Sequence, residues 1–193
     1  MEMLSVRFIR DGPEKRAVDA FVARAYWKAF GTRPQPARTY AAAMRGGRPV
    51  GCLGHVQAGP SGWFPVERVY RLDRAELPLP ITAGNTVEFG RFVALQPGLT
   101  PVLVYAGIRF ALGAGKEYGI LEYTDAVHAI VERLGLTLCS LPDATACLDA
   151  VASGDLPYYR THVSRPYLLD LEDSCRKIWE RLPELYRGLV PPP

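Results

Sequence analysis

Long apolar runs are missing from this chain. The longest apolar stretch, residues 101–108, stops at Arg109, far short of the ~20 residues a membrane-spanning helix needs. The opening segment, MEMLSVRFIRDGPEKR, scatters charges where a secretory leader would carry an apolar core, so no signal peptide is expected. Cysteine is scarce: Cys52, Cys139, Cys147 and Cys175 lie apart with no CxxC pair. They read as free thiols of a reducing compartment, and the expected location is cytoplasmic. The three histidines, His55, His128 and His162, are isolated and offer no metal-ligand spacing, so no metal is expected. An excess of one charge is also lacking. The net charge is +3, too weak to argue for a nucleic acid or an integral membrane role. No repeat or low-complexity tract occurs, and no nucleophile elbow supports a serine triad. ALGAGKEYG fails as a phosphate loop, because Phe110 stands at the first glycine position and Glu117 where a hydroxyl would meet magnesium.

What remains is an ordinary globular balance, 48% hydrophobic and 22% charged over 193 residues. That length fits one domain, residues 1–193, with a full core. Residues 4–9 read as a strand. The next segment, DGPEKRAVDAFVARAYWKAFG, reads as a helix with Asp11 as N-cap, Pro13 in the first turn, Glu14 at capping-box distance and Gly31 as the closing cap. Its far end is basic, with Arg24, Lys28 and Arg33. Two apolar runs flank Gly46-Gly47, which predicts an antiparallel hairpin. Residues 59–84 are too long for a hairpin turn and rich in Pro and Gly. They read as an insert with one short helix near 66–72, either a lid over a pocket or a packed surface loop. Strands are expected at 119–123, 136–141 and 167–171, a helix from Asp125 to Gly135, and a terminal helix over 173–189. The order β-α-β-β-(insert)-β-α-β-α-β-β-α predicts an α/β fold, a three-layer sandwich with a mixed, mainly antiparallel sheet and helices on both faces.

One stretch breaks the pattern. Residues 86–94, TVEFGRFVA, form a strand that carries Glu88 and Arg91 among apolar neighbours. Strict alternation would send the two charges to opposite faces. A β-bulge at Gly90 would bring both to one side. A catalytic pair and a structural ion pair bracing the sheet are both compatible with this pattern.

The element order, the hairpin and the strand–loop–helix at 86–112 resemble the GNAT acyltransferase fold. VEFGRFVA resembles the E-x-S-R-F strand of acyl-homoserine-lactone synthases and of the related long-chain N-acyl amino acid synthases. It also resembles the E-V-G-N-L strand of the thermostable hemolysin family. LPYYRTHVSRPYLLDLED resembles the Pro-Tyr-containing last strand of the N-acyl amino acid synthases. The aspartate-rich segment that lactone synthases carry after the first helix is not found. The resemblance implies an enzyme that moves an acyl group from acyl-CoA, or from the phosphopantetheine of an acyl carrier protein, to the amine of a small molecule. The alternatives are other thioester chemistry, such as decarboxylation or O-acylation, and a non-enzymatic binding or hemolysin-like protein.

The resemblance also implies roles. Glu88 would be the general base, and Arg91 would orient it or bind a substrate carboxylate. Backbone N–H groups of Phe92, Val93 and Ala94 would polarise the thioester carbonyl. Gln96, Gly98, Leu99 and Thr100, in the loop LQPGLTP, would hold the pyrophosphate at a helix start, with Thr100 as N-cap and Pro101 first in the helix. Gln96 and Gly98 stand at a spacing different from the family's Q/R-x-x-G-x-G/A. Tyr123 is the candidate general acid. Tyr158, Tyr159 and Arg160 would line the acceptor site, and Trp63 and Phe64 would cover the acyl tunnel.

Overall fold

Gly46 and Gly47 set the register of the sheet. Both adopt positive φ, 54° and 74°, as a two-residue hairpin loop requires. They join β2 (Thr39–Arg45) to β3 (Arg48–Val56). In the computed structural model, which describes residues 2–96, 98–141 and 143–193, this hairpin seeds a seven-stranded sheet. β1 (Leu4–Ile9) lies antiparallel on the outer side of β2. On the other side β3 pairs antiparallel with β4 (Thr86–Ala94). β4 runs parallel to β5 (Tyr118–Thr124). β7 (Ser164–Asp170) and β6 (Leu138–Ser140) complete the antiparallel far edge, giving the order β1-β2-β3-β4-β5-β7-β6. The expected mixed, mainly antiparallel α/β sandwich is the observed architecture.

Helices cover both faces. On one side α3 (Leu99–Gly113) and α6 (Leu171–Arg181) bury Ala41, Ala43, Leu53, Val87, Phe89 and Leu169 of the sheet. α4 (Asp125–Leu134) extends this layer over Tyr123 and Tyr167. On the other side α1 (Gly12–Phe30) lays Val18 and Val22 on Tyr40, Ala42 and Cys52. α2 (Pro65–Tyr70) sits beside it, with Phe64, Val66 and Val69 on Ile120 and Leu168. α5 (Leu156–Thr161) borders the same layer. No helix among the described residues is long and apolar enough to cross a membrane.

Several boundaries differ from the sequence reading. Gly31 closes α1 in the left-handed conformation, but the Asp11 side chain makes no capping bond. Glu14 pairs with Arg7 at 2.9 Å instead of closing a capping box. α4 begins at Asp125, so Thr124 holds its cap position. Residues 156–161, to which the sequence reading assigns no element, form α5. The expected helix over 173–189 is two pieces. α6 starts at Leu171, with the Asp170 side chain accepting from the Asp173 N–H at 2.8 Å. It ends before Pro183, which has no N–H to continue the ladder, and α7 (Glu184–Arg187) follows.

The insert is fixed to the domain. Phe64, Val66, Val69 and Tyr70 are buried. Glu67, 1% exposed, receives Arg74 through Nε at 2.6 Å and a terminal nitrogen at 2.8 Å. It also accepts the Phe64 N–H at 2.7 Å, and Arg74 reaches the Gly62 carbonyl at 2.6 Å. This cluster clamps both ends of α2. Losing a buried charge's partner costs ~3–5 kcal/mol. Because a quarter of the Arg74 side chain (25%) remains in water, Arg74→Ala is expected to cost about 2–3 kcal/mol. Chemical denaturation reads this directly, and an unchanged midpoint would mean that the insert is held elsewhere.

Candidate active site

On β4, Glu88 and Gly90 face the α1/α2 side, while Val87 and Phe89 join the α3 core. Pairing with β3 then slips. Gly54 pairs with Gly90 and Cys52 with Val93, so Leu53 alone faces Arg91 and Phe92. This is the bulge expected from the sequence, one residue later than read. Arg91, not Gly90, takes the left-handed conformation, with φ 56°. A non-glycine residue held there is strained, a condition that clusters at functional sites. The slip shifts the side-chain phase by one residue, so Arg91 emerges on the face of Glu88. Gly54 makes room for it: a Cβ there would lie 2.9 Å from the Gly90 carbonyl and 3.1 Å from the Arg91 Cβ.

The bulge turns β4 away from β5. The two strands pair over residues 86–89 and 118–121 and no further, although β4 runs on to Ala94 and β5 to Thr124. Two cavities meet at the gap. One, about 170 Å³, lies between α3 and α4 and is walled by Val104, Ile108, Val127, Ile130, Val131 and Leu134. The other, about 560 Å³, lies between α1, α2 and α5 and contains Glu88, Asp155, Tyr158 and Tyr159. Tyr26, Phe89, Gly90, Arg91, Glu122 and Tyr158 line both. A Cβ placed on Gly90 would touch nothing within 4 Å, so the passage between the cavities is open at that residue.

Glu88 is 5% exposed, and its carboxylate accepts the Val66 N–H at 3.1 Å. Burial raises its pKa to about 7, against the opposing pull of the Val66 N–H and the Arg91 charge. Arg91 donates through Nε to the Gln35 carbonyl at 2.8 Å and makes no ion pair with Glu88 among the described residues. It acts on Glu88 through space. Near neutral pH Glu88 is therefore poised to accept a proton.

Sequence reasoning missed Glu122. It lies on the same face as Glu88, two residues beyond Ile120, the β5 neighbour of Glu88. The Tyr159 hydroxyl donates to Oε1. Oε2 is shut off from solvent and has no partner among the described residues. Burial raises the Glu122 pKa, while Tyr159, Tyr70 and Arg91 lower it. The signal was available: YGILEYT places one carboxylate in an apolar strand, as TVEFGRFVA does.

Other expected site residues fall in different places. Tyr123 points to the opposite face from Glu88. It stacks on Tyr167 at 4.4 Å, and its hydroxyl lies 3.3 Å from His128 Nδ1. It lines the apolar cavity, with the sheet between it and Glu88. Phe64 is a fully buried core residue, not a cover. Trp63, 37% exposed, holds Arg74 over its ring at 4.6 Å and lines the larger cavity. Neither reaches the apolar cavity, which α3 and α4 cover instead. Tyr158 and Tyr159 line the larger cavity, whereas Arg160 is exposed and outside it.

Phe92 and Thr100 line the apolar cavity, Val93 packs toward α1, and Ala94 pairs with Gly51. In the expected pyrophosphate loop, whose Pro97 lies outside the described residues, α3 begins at Leu99 with Gly98 as N-cap. Thr100 is thus inside the helix and does not cap it, and Leu99 is fully buried. Gln96 accepts from Arg45 at 3.3 Å. Tyr186 of α7 lies against Gly98, its hydroxyl standing where a Cβ would need to be. The described residues contain no metal-ligand cluster.

No family model and no curated protein matches the sequence. Solved structures do match. The AHL synthase LasI superposes with TM-score 0.62 at 12% identity, covering 89% of this chain and 91% of that one. FeeM, an N-acyl amino acid synthase from uncultured soil microbes, gives 0.61 at 15%, covering 98% and 100%. BjaI, a CoA-dependent acyl-homoserine lactone synthase solved with SAM and isopentyl-CoA, gives 0.61 at 14%, covering 93% and 90%. The chain has the GNAT-type fold of these synthases. Within this GNAT-type sheet, the two cavities meet at the gap after Phe89, and Glu88, Arg91 and Glu122 all stand beside it.

Proposed function

We propose that the protein is an N-acyltransferase that moves an acyl group from a thioester to the amine of a small molecule. The observation that carries this reading is Glu88, a buried carboxylate with a pKa of about 7, beside a passage with an apolar cavity on one side and a polar cavity on the other. The acyl chain occupies the apolar cavity, where each methylene removed from water contributes ~0.8 kcal/mol. The amine enters the larger cavity, and Glu88 takes its proton as nitrogen attacks the thioester carbon. Backbone N–H groups among Phe92, Val93 and Ala94 polarise the carbonyl oxygen. Arg91 orients an acceptor bearing a carboxylate. The solved neighbours support this reading through their own chemistry, since one is an AHL synthase, one an N-acyl amino acid synthase and one holds isopentyl-CoA.

The donor is an acyl-CoA or an acylated carrier protein. Two observations favour the carrier. Tyr186 packs on Gly98 at the helix start that would otherwise hold a pyrophosphate. Arg24, Lys28 and Arg33 are exposed around Trp27 at the end of α1, and Tyr26 and Phe30 of the same helix line the apolar cavity. An acidic carrier docked there would deliver its phosphopantetheine to the passage.

Glu88→Gln is expected to lower turnover roughly 10²–10⁴-fold while keeping the fold, because the amide oxygen still accepts the Val66 N–H. In the parent, kcat/KM should rise as pH passes about 7, since the ionised form is the base. The stability sign follows from the same shift. A raised folded-state pKa makes the Glu88 contribution fully present below its unfolded value and lost as pH rises through about 7. At pH 8 the variant should therefore melt no lower than the parent. Unchanged turnover with unchanged melting would remove Glu88 from the chemistry. For the donor, transfer from a carrier protein should slow as salt rises past ~0.1–0.2 M, where screening shortens to ~8–10 Å, and transfer from free acyl-CoA should change less. Identical salt profiles would exclude the carrier.

A further inference from the structure

Acyl transfer needs a proton for the leaving thiolate as well as a base for the amine, and Tyr123 lies on the wrong face to supply it. Resting on the acyltransferase reading, we propose that Glu122 is the general acid that protonates the departing sulfur. The placement comes first. Glu122 is two residues further along β5 than the neighbour of Glu88, about 6–7 Å along the strand, and points to the same face. Gly90 is the β4 residue at that level, and both residues line both cavities. With the acyl chain in the apolar cavity and the amine beside Glu88, the carbonyl carbon lies in the open space at Gly90 and the sulfur leaves on the Glu122 side.

The hydrogen bonding agrees. Oε1 accepts from Tyr159, so a proton on Glu122 resides on Oε2, the oxygen with no partner among the described residues. With the Tyr70 hydroxyl nearby, that buried oxygen is the one left to make a new hydrogen bond when a thioester enters the passage Glu122 lines. The charged and titratable groups around it are Arg91 and Glu88 from β4, Asp155, Tyr158 and Tyr159 from the α5 end, Tyr70 from α2 and Tyr26 from α1. Arg91 is the cation that acts on Glu122, and Arg68 lines the larger cavity as well. Burial, seconded by the charge of Asp155, favours the neutral carboxyl at Glu122. Two nearby carboxylates resist ionising together, which keeps one as acid while the other serves as base. The step balances. The amine nitrogen bonds to carbon, its proton goes to Glu88, the carbon–sulfur bond breaks, and the Glu122 proton goes to sulfur. An amide and a thiol leave, and exchange with solvent returns the two carboxyls to their starting states.

The test varies the leaving group at a fixed acyl chain. An alkyl thioester of the pantetheine type needs a proton on its sulfur, whereas an aryl thioester leaves as a stabilised thiolate without one. Glu122→Gln should lose roughly 10²-fold or more with the alkyl donor and less than about 10-fold with the aryl donor. Should the Gln variant fail to fold, Glu122→Asp, which withdraws the carboxyl by one methylene, carries the same readout and should slow the alkyl donor more than the aryl one. Equal losses with the two donors, or no loss with either, would overturn the assignment while leaving the acyltransferase reading standing. A parent chain that transfers no acyl group from any donor would overturn both.

Discussion

β4 can pair with β5 for four residues and no further, and the functional architecture follows from that limit. The bulge that sets Leu53 against Arg91 and Phe92 makes the two strands diverge where they would otherwise seal the sheet. A continuous sheet is a wall between its two helical layers. Here the wall opens, and an apolar cavity under α3 and α4 meets a polar one under α1, α2 and α5. The cost is a strained Arg91 backbone, offset by its bond to Gln35 and by the side-chain-free space at Gly54.

The insert is the second support of the site. Glu67 and Arg74 hold α2 in place, and α2 presents the Val66 N–H to Glu88. Burial alone disfavours the ionised carboxylate. The Val66 N–H and the Arg91 charge oppose burial and leave Glu88 at about 7, so segments distant in sequence jointly set one proton affinity. Glu122 draws its own partner from α5. The two carboxylates share a face and differ in surroundings, which is the condition for opposite proton-transfer roles.

Much of this was legible in the residues. Gly46-Gly47 marked the hairpin because positive φ at both positions is nearly a glycine property. The element order followed from apolar periodicity, and Glu88 and Arg91 stood out as charges inside an apolar strand. Other features depend on non-local contacts. Gly90 is the obvious place for a bulge by propensity, yet the slip falls at Arg91 because Gly54 on the neighbouring strand leaves room there. Tyr123 is one residue from Glu122 on β5, and in a strand one residue is the opposite face. Phe64 lay in a Pro/Gly-rich segment that reads as a loop, but the sheet beneath it supplies a core for it to fill. Thr100 resembles a cap by type, whereas α3 starts at Leu99 and leaves Thr100 inside.

On the proposed reading a thioester threads the gap between β4 and β5. A crystal structure with an alkyl-CoA or alkyl-pantetheine thioether that cannot be cleaved tests it most directly. The expected result is an alkyl chain between α3 and α4, with the carbon that replaces the carbonyl lying at Gly90, between Glu88 and Glu122. A chain lying instead across the insert beside Trp63, with the passage at Gly90 empty, would contradict it.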